Sequence, residues 1–338
     1  MLVVNSSEKD IMNTPIPLQH KFVRTIKPTA PFNFDATFHK PDHFPSGDNH
    51  WQPGCRWQTM FWKDQWLGLM FEDKGSLNAP LIQLSIFAQN NLNEAFLESV
   101  LEEVQFRYNL QMDLNLFNEQ YLDNSLLGSV IKKWLGMRPM NCGSLYEYLI
   151  ITIVLQNATI KRSVNMLQSL FENYGDLLAF DNKVLYCFWQ PQKIINTSEQ
   201  DLRNLKVGYR AKTIKRVSEA FFKNEICEFS LREKSVDEQR KELLNLYGVG
   251  PASVGYLLFD VFHQMDELNH ISPWEQKIYS KIFFNTEIGE PVSTDTLISY
   301  FSQHFSGYRM LAVHYIWEDL FWKRKHETVE WLEKLIRL

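Results

Sequence analysis

The chain has 338 residues, of which 45% are hydrophobic and 22% charged, and its formal net charge is −5. That balance excludes disordered and fibrous classes, and the length suits two or three domains. The four cysteines (Cys55, Cys142, Cys187, Cys227) form no CxxC pair, which argues against a disulfide framework, a zinc ribbon and a cysteine-held iron–sulfur cluster.

Residues 1–30 mix polar side chains with Pro15, Pro17, Pro28 and Pro31 close by, so they are expected to form a tail or an edge-packed arm. The opening MLVVNSSEKD has no basic stretch before an apolar core, and no signal peptide is expected. Phe32, Phe34, Ala36 and Phe38 alternate along FNFDATFH, a strand pattern. Further short strands are expected at CRWQTMFW, QWLGLMFED and LIQLSIF, separated by turn-rich pieces, which together imply an antiparallel sheet. After Gln89 the apolar period lengthens to that of a helix, with Phe96, Val100, Val104 and Tyr108 on one stripe. From there to Leu338 the chain reads as helices: 144–156, 160–174, 199–205, 209–223, 235–246, 251–264, 273–284, 293–304 and 307–325. The longest apolar stretch, Tyr148–Leu155, falls far short of the ~20 residues that cross a bilayer. The expected fold class is therefore α+β: an arm over 1–30, an antiparallel domain over 31–134, and a helical body over 135–338.

Two features of the helical part point to a polyanion. Arg203, Lys206, Arg210, Lys212, Lys215 and Arg216 fall in one run without an acid; a solvated helix face would read the same way. At 238–262 one helix runs to Tyr247, Gly248-Val249-Gly250 makes a tight turn, and Pro251 sits where a second helix begins. Such a turn leaves backbone N–H groups and a helix amino terminus open, which suits an anion. Flanked by amphipathic helices, it looks like the helix-hairpin-helix that holds a DNA phosphate without reading sequence.

In order along the chain, FPSG…GCRWQ…WLG, LQNATIKR, LKVGYRAK, LYGVGPAS, HISPWEQKIY and GYRMLAVHYIW resemble the helix-hairpin-helix DNA glycosylase superfamily (HhH-GPD). The branch they resemble most contains 8-oxoguanine DNA glycosylase and 3-methyladenine DNA glycosylase II, whose members carry an antiparallel domain before the helical body. The endonuclease III branch is disfavoured because its four-cysteine cluster is missing. The resemblance implies double-stranded DNA with a damaged base as the partner, a base taken out of the stack for chemistry, a monomer, and no metal or organic cofactor. It also implies a place beside the chromosome, cytoplasmic in a prokaryote or nuclear in a eukaryote.

Carried over residue by residue, the resemblance makes Asn157, Arg162, Tyr209 and Arg210 the group that fills the vacated stack and holds the orphaned partner base. Gly248, Val249 and Gly250 would hold the phosphate, and Ala252, Tyr256, Met310 and His314 would line the base pocket, near Tyr308 and Arg309. A backbone acceptor for the base would come from Gly47 or Gly54. Two positions depart from the family. Where it has a catalytic aspartate this chain has Ser272, and where the 8-oxoguanine enzyme has its Schiff-base lysine this chain has Ala252. Three residues could stand in: Glu275, one helical turn after Ser272; Asp260, on the helical face of Ala252 and Tyr256; and His270. Burial of Asp260 within YLLFDVF would raise its pKa.

The expected function is hydrolysis of an N-glycosidic bond in base excision repair, without lyase chemistry, on a guanine lesion or another modified purine. The alternative is a lesion sensor that flips bases but has lost the catalytic Asp and Lys. A protein-binding scaffold would not need Tyr209 and its two arginines.

Overall fold

The computed structural model describes residues 14–335. Residues 1–13, the first part of the expected arm, therefore lie outside the described residues. A five-stranded antiparallel sheet has the order β2-β6-β5-β4-β3, built from β2 (His20–Ile26), β3 (Asn49–Gln52), β4 (Cys55–Trp62), β5 (Gln65–Asp73) and β6 (Ile82–Ala88). Its buried face (Leu67, Leu69, Phe71, Ile82, Leu84, Ile86) packs on Val100 and Val104 of the Glu94–Arg107 helix and on Tyr108, which caps it. The arm contributes β1 (Ile16–Pro17) and the edge strand β2.

Two expectations are overturned. The alternating segment 32–38 is not a strand, because Phe34–Phe38 is a short helix. Asn33 caps it, its Oδ1 accepting the Ala36 N–H at 3.0 Å, and Phe34 stacks on Phe38 at 4.4 Å. Over so few residues both periods bury the same phenylalanines, and the asparagine cap decides. Nor is everything after Gln89 helical. Within the expected helical body, β7 (Asp176–Phe180) and β8 (Lys183–Cys187) form a hairpin, turned through Asp181 and Asn182, both at positive φ (45° and 58°). Two such residues between apolar runs suit a two-residue hairpin turn. β1 joins β7 in parallel, so that sheet is mixed. The hairpin packs on the five-stranded sheet through Phe180, whose ring leaves only 2.4 Å for a Cβ at Gly68.

Most remaining helices follow their expected limits, although the one expected over 251–264 ends at Asp260 and the regular helix expected over 199–205 ends at Leu202. Ile160–Tyr174 is capped by Thr159, and Leu145–Leu155 begins in a Ser144/Glu147 capping box. The second helix of the hairpin, Pro251–Asp260, lies between two cores. Val254, Leu257 and Leu258 pack with the 145–222 helices, while Phe259 packs with the carboxy-terminal ones. That seam places Ala252, Tyr256 and Asp260 between the two halves of the helical body. Among the described residues no helix is long and apolar enough to cross a membrane.

Candidate active site

The hairpin, the Asn157 loop and Tyr209 meet at Gln156. Its Nε2 donates to Gly248 O at 3.3 Å, and its own carbonyl accepts from the Tyr209 hydroxyl (3.5 Å) and from Arg210 Nη2. Gly248 is at φ 78°, where a side chain is strained, and a Cβ there would meet Thr213 Cγ2 at 2.6 Å. Val249 is buried beneath the turn, and Gly250 precedes the ten-residue Pro251–Asp260 helix. Asn157 is exposed at φ 49° and donates to the Tyr209 hydroxyl at 3.4 Å. Tyr209 is 53% exposed, which excludes a core role. Arg162 is exposed on the next helix.

Arg210 departs from expectation. It is 1% exposed and turned inward, its Nε donating to Ile153 O at 3.1 Å and its Nη2 to Gln156 O. It thus adds a donor at the carboxy-terminal end of the Leu145–Leu155 helix, where Ile153 O also accepts the Gln156 N–H at 3.3 Å. Elsewhere in the basic run, Arg203 pairs with Glu199 and Arg216 with Glu219, as on a solvated face. Lys206 and Lys212 are exposed.

The second part of the site surrounds Ser272, the amino-terminal cap of the Pro273–Phe284 helix. Glu275 is buried and folds back over that cap: Oε2 accepts the Ser272 N–H at 2.8 Å and Oε1 accepts the Tyr256 hydroxyl. Burial and the neighbouring Glu275 push the Tyr256 phenol well above its ordinary range, so it keeps its proton and donates. One carboxylate thereby bridges the Ser272 position and the hairpin helix one turn beyond Ala252. The helix amino terminus favours negative charge there. His270 is exposed and has no hydrogen-bond partner among the described residues. Gly47 O already accepts from Tyr186 (2.8 Å) and Gly54 O from Asp73 (3.0 Å).

Asp260 belongs to a buried group assembled from distant segments. The Tyr148 hydroxyl donates to its Oδ2. Lys40 lies 3.6 Å from Glu318 Oε1 and 3.8 Å from Asp42, and the Asp42 N–H donates to Glu318 Oε2 at 3.0 Å. His314 Nδ1 is 3.8 Å from the same Glu318 Oε1. Met310 is buried one turn before His314. Tyr308 packs on Phe117, and Arg309 pairs with Asp266 at 3.0 Å. Burial pushes Asp260 up to about 6, against the opposing Lys40 charge and the Tyr148 hydrogen bond. Lys40, Tyr148, Gln156 and Glu318 were missed by sequence reasoning; only Gln156, beside Asn157, carried a local signal. Among the described residues no group of three or more His, Cys, Asp or Glu side chains could hold a metal ion.

The Asp260 shift has a testable sign. Below the ordinary carboxyl value of 3.8, folded and unfolded chains are both protonated at this site. As pH rises toward about 6 the folded form holds its proton longer, so stability falls; above that the full penalty stands. Asp260→Asn is expected to raise the melting temperature at pH 8. The gain, on the order of 2–3 kcal/mol, should shrink through pH 6 and vanish below pH 4 in thermal melts across that range. A gain that does not change with pH would contradict the assignment.

A family model described as "HhH-GPD superfamily base excision DNA repair protein" matches residues 150–330, more than half of the chain. A DNA-3-methyladenine glycosylase of Bacillus subtilis (strain 168) is 20% identical over 190 residues, covering 53% of this chain; the chain spans only 63% of that relative. The apo 8-oxoguanine glycosylase/lyase of Clostridium acetobutylicum superposes with a TM-score of 0.67 at 18% identity, covering 88% of this chain and 95% of that one. The 3-methyladenine DNA-glycosylase of Archaeoglobus fulgidus gives 0.66 at 15% identity, covering 88% and 98%. At these identities the solved structures establish a shared fold, with the antiparallel sheet joined to the helical body.

Proposed function

The chain belongs to the HhH-GPD superfamily of base excision DNA repair proteins, and from that membership we propose that it is a monofunctional DNA glycosylase whose catalytic carboxylate is Glu275. The observation that carries this reading is the hold on Glu275 by the Ser272 N–H and the Tyr256 hydroxyl, beside both positions where the family's usual groups are absent. The chain acts as a monomer on duplex DNA. The hairpin turn and the amino terminus of Pro251–Asp260 take a phosphate, and Tyr209 enters the stack as the damaged nucleotide leaves it, with Asn157 and Arg162 beside it. Arg210 positions that loop through Gln156. The nucleotide enters the seam toward Tyr256, Met310 and His314.

As the bond from C1′ to the base nitrogen breaks, its electron pair leaves with the base and C1′ becomes cation-like. The Glu275 carboxylate offsets that charge in a buried setting, where it acts most strongly. Water adds to C1′, and the proton it gives up ends on the base nitrogen that took the electron pair, so the base leaves neutral. Ala252 has no amine, so no Schiff base forms and the strand stays intact. The favoured substrates are guanine lesions and other modified purines.

A lesion sensor without chemistry is the second reading. It draws on the same contacts, because both Glu275 oxygens already accept hydrogen bonds. Single-turnover base release from duplexes carrying one lesion each, opposite cytosine or thymine, separates the two. Breaks that appear only after hot alkali support the glycosylase. Tight lesion binding with no release from any duplex overturns it in favour of the sensor.

A further inference from the structure

We propose that Trp274 is a sugar-binding residue, its indole taking the deoxyribose of the flipped nucleotide beside Glu275. This rests on the proposed placement of that nucleotide in the seam and is independent of the base it carries. The chain has ten tryptophans, and Trp274 is the only one of them that is exposed, at 41%. A single exposed apolar side chain is ordinary in itself, so its place is what counts. Trp274 is the second residue of Pro273–Phe284, one position before Glu275 and so about 100° round the helix from it. Its ring lies against Trp317, with 5.0 Å between centroids and 49° between planes.

Trp317 joins this indole to the proposed base pocket. Met310, His314 and Trp317 are spaced at i, i+4 and i+7, which puts them on one stripe of the Arg309–His326 helix. The stripe assigned to the pocket therefore continues to Trp317 and ends against the Trp274 ring. Trp317 is 9% exposed, and its Nε1 donates to the hydroxyl of Tyr279, which lies one turn after Glu275 on the same helix. Trp274 is thus seated against a buried, hydrogen-bonded ring, with area still open to solvent at the helix end that carries the carboxylate. A side chain already held in this way has little freedom to lose when a ligand covers it. The chemistry of that ligand follows from the position. A C1′ that meets Glu275 brings the C–H groups of its sugar ring within reach of the neighbouring side chain. Deoxyribose, short of one hydroxyl, offers an apolar edge to an aromatic surface, whereas a phosphate is repelled by the negative face of the ring.

The test is equilibrium binding to three duplexes that differ at one nucleotide: undamaged, carrying hypoxanthine, or carrying a tetrahydrofuran abasic analogue, which keeps the sugar ring without a base. Trp274→Ala is expected to lose about ten-fold in affinity for both modified duplexes, from the apolar area no longer covered. Its affinity for undamaged DNA and its melting temperature should stay near wild type, which shows that the variant is folded. Trp274→Phe, which keeps an aromatic face, should recover most of the loss. Unchanged affinity of Trp274→Ala for the abasic duplex overturns the proposal; if hypoxanthine binding alone falls, the indole meets the base and not the sugar. An equal loss on all three duplexes makes Trp274 a general DNA contact and overturns the proposal as well. If the wild-type protein prefers neither modified duplex to undamaged DNA, the placement of a nucleotide in the seam falls and takes the proposal with it.

Discussion

Replacing Glu275 by glutamine is expected to slow single-turnover base release by about 10²–10³-fold while leaving lesion affinity and melting temperature near wild type. Glutamine keeps the length of the side chain and can still meet the Ser272 N–H and the Tyr256 hydroxyl, so the cap and the local fold survive. What it removes is the negative charge that a cation-like sugar requires. Glu275→Ala should lose the same rate and also about 0.5–2 kcal/mol of stability with the capping interaction. Restoring a carboxylate at the position the family uses, with Ser272→Asp in the Glu275→Gln background, should recover part of the rate. An unchanged rate in Glu275→Gln would move the chemistry elsewhere, with Asp260 next to be tested.

Arg210→Ala is expected to be the most destabilising change among the residues that meet at Gln156. Arg210 is fully enclosed and donates to the carbonyls of Ile153 and Gln156. Hydrogen bonds from a charged donor contribute about 1.5–3 kcal/mol each, and truncation leaves Ile153 O with only the Gln156 N–H at 3.3 Å and Gln156 O with only the Tyr209 hydroxyl at 3.5 Å. A loss of about 3 kcal/mol or more corresponds to a fall in melting temperature on the order of 5–10 °C. Affinity for damaged duplex should drop as well, because Gln156 ties the Asn157 loop to the hairpin through Gly248. Arg210→Lys should restore little, since one ammonium cannot replace the planar fork that reaches both carbonyls. Normal stability combined with lost lesion affinity would instead make Arg210 a base-contacting residue only.

Sequence signals located the elements that have sharp chemical punctuation. The Ile160–Tyr174 and Pro273–Phe284 helices begin where Thr159 and Ser272-Pro273 place them, and the hairpin follows from Gly248, Gly250 and Pro251. The misread segments are the ones where local periodicity is ambiguous. Four apolar residues in seven fit a capped turn of helix as well as a strand at 32–38, and the Asp181-Asn182 turn was overlooked inside a stretch read as helical. The site divides in the same way. Ser272, Glu275, Tyr256 and Asp260 are related by helical spacing within two neighbouring elements, and that spacing can be read directly. The group around Lys40 cannot, because Asp42 and Glu318 are 276 positions apart and nothing local to either announces the other. The inward turn of Arg210 was not legible either, because only the packed structure shows which way a long side chain turns.

The account depends most on which carboxylate faces the anomeric carbon. The direct measurement is a crystal structure of the protein on a duplex holding one 2′-fluorinated, uncleavable hypoxanthine nucleotide, read for the distance from C1′ to each nearby carboxylate. A Glu275 oxygen within about 4 Å of C1′, close enough for strong charge interaction in a dry site, is the expected result. A flipped nucleotide that meets only Ser272, Ala252 and apolar groups, with Glu275 still turned toward Tyr256 and away from the sugar, would contradict it and leave a protein that finds lesions without excising them.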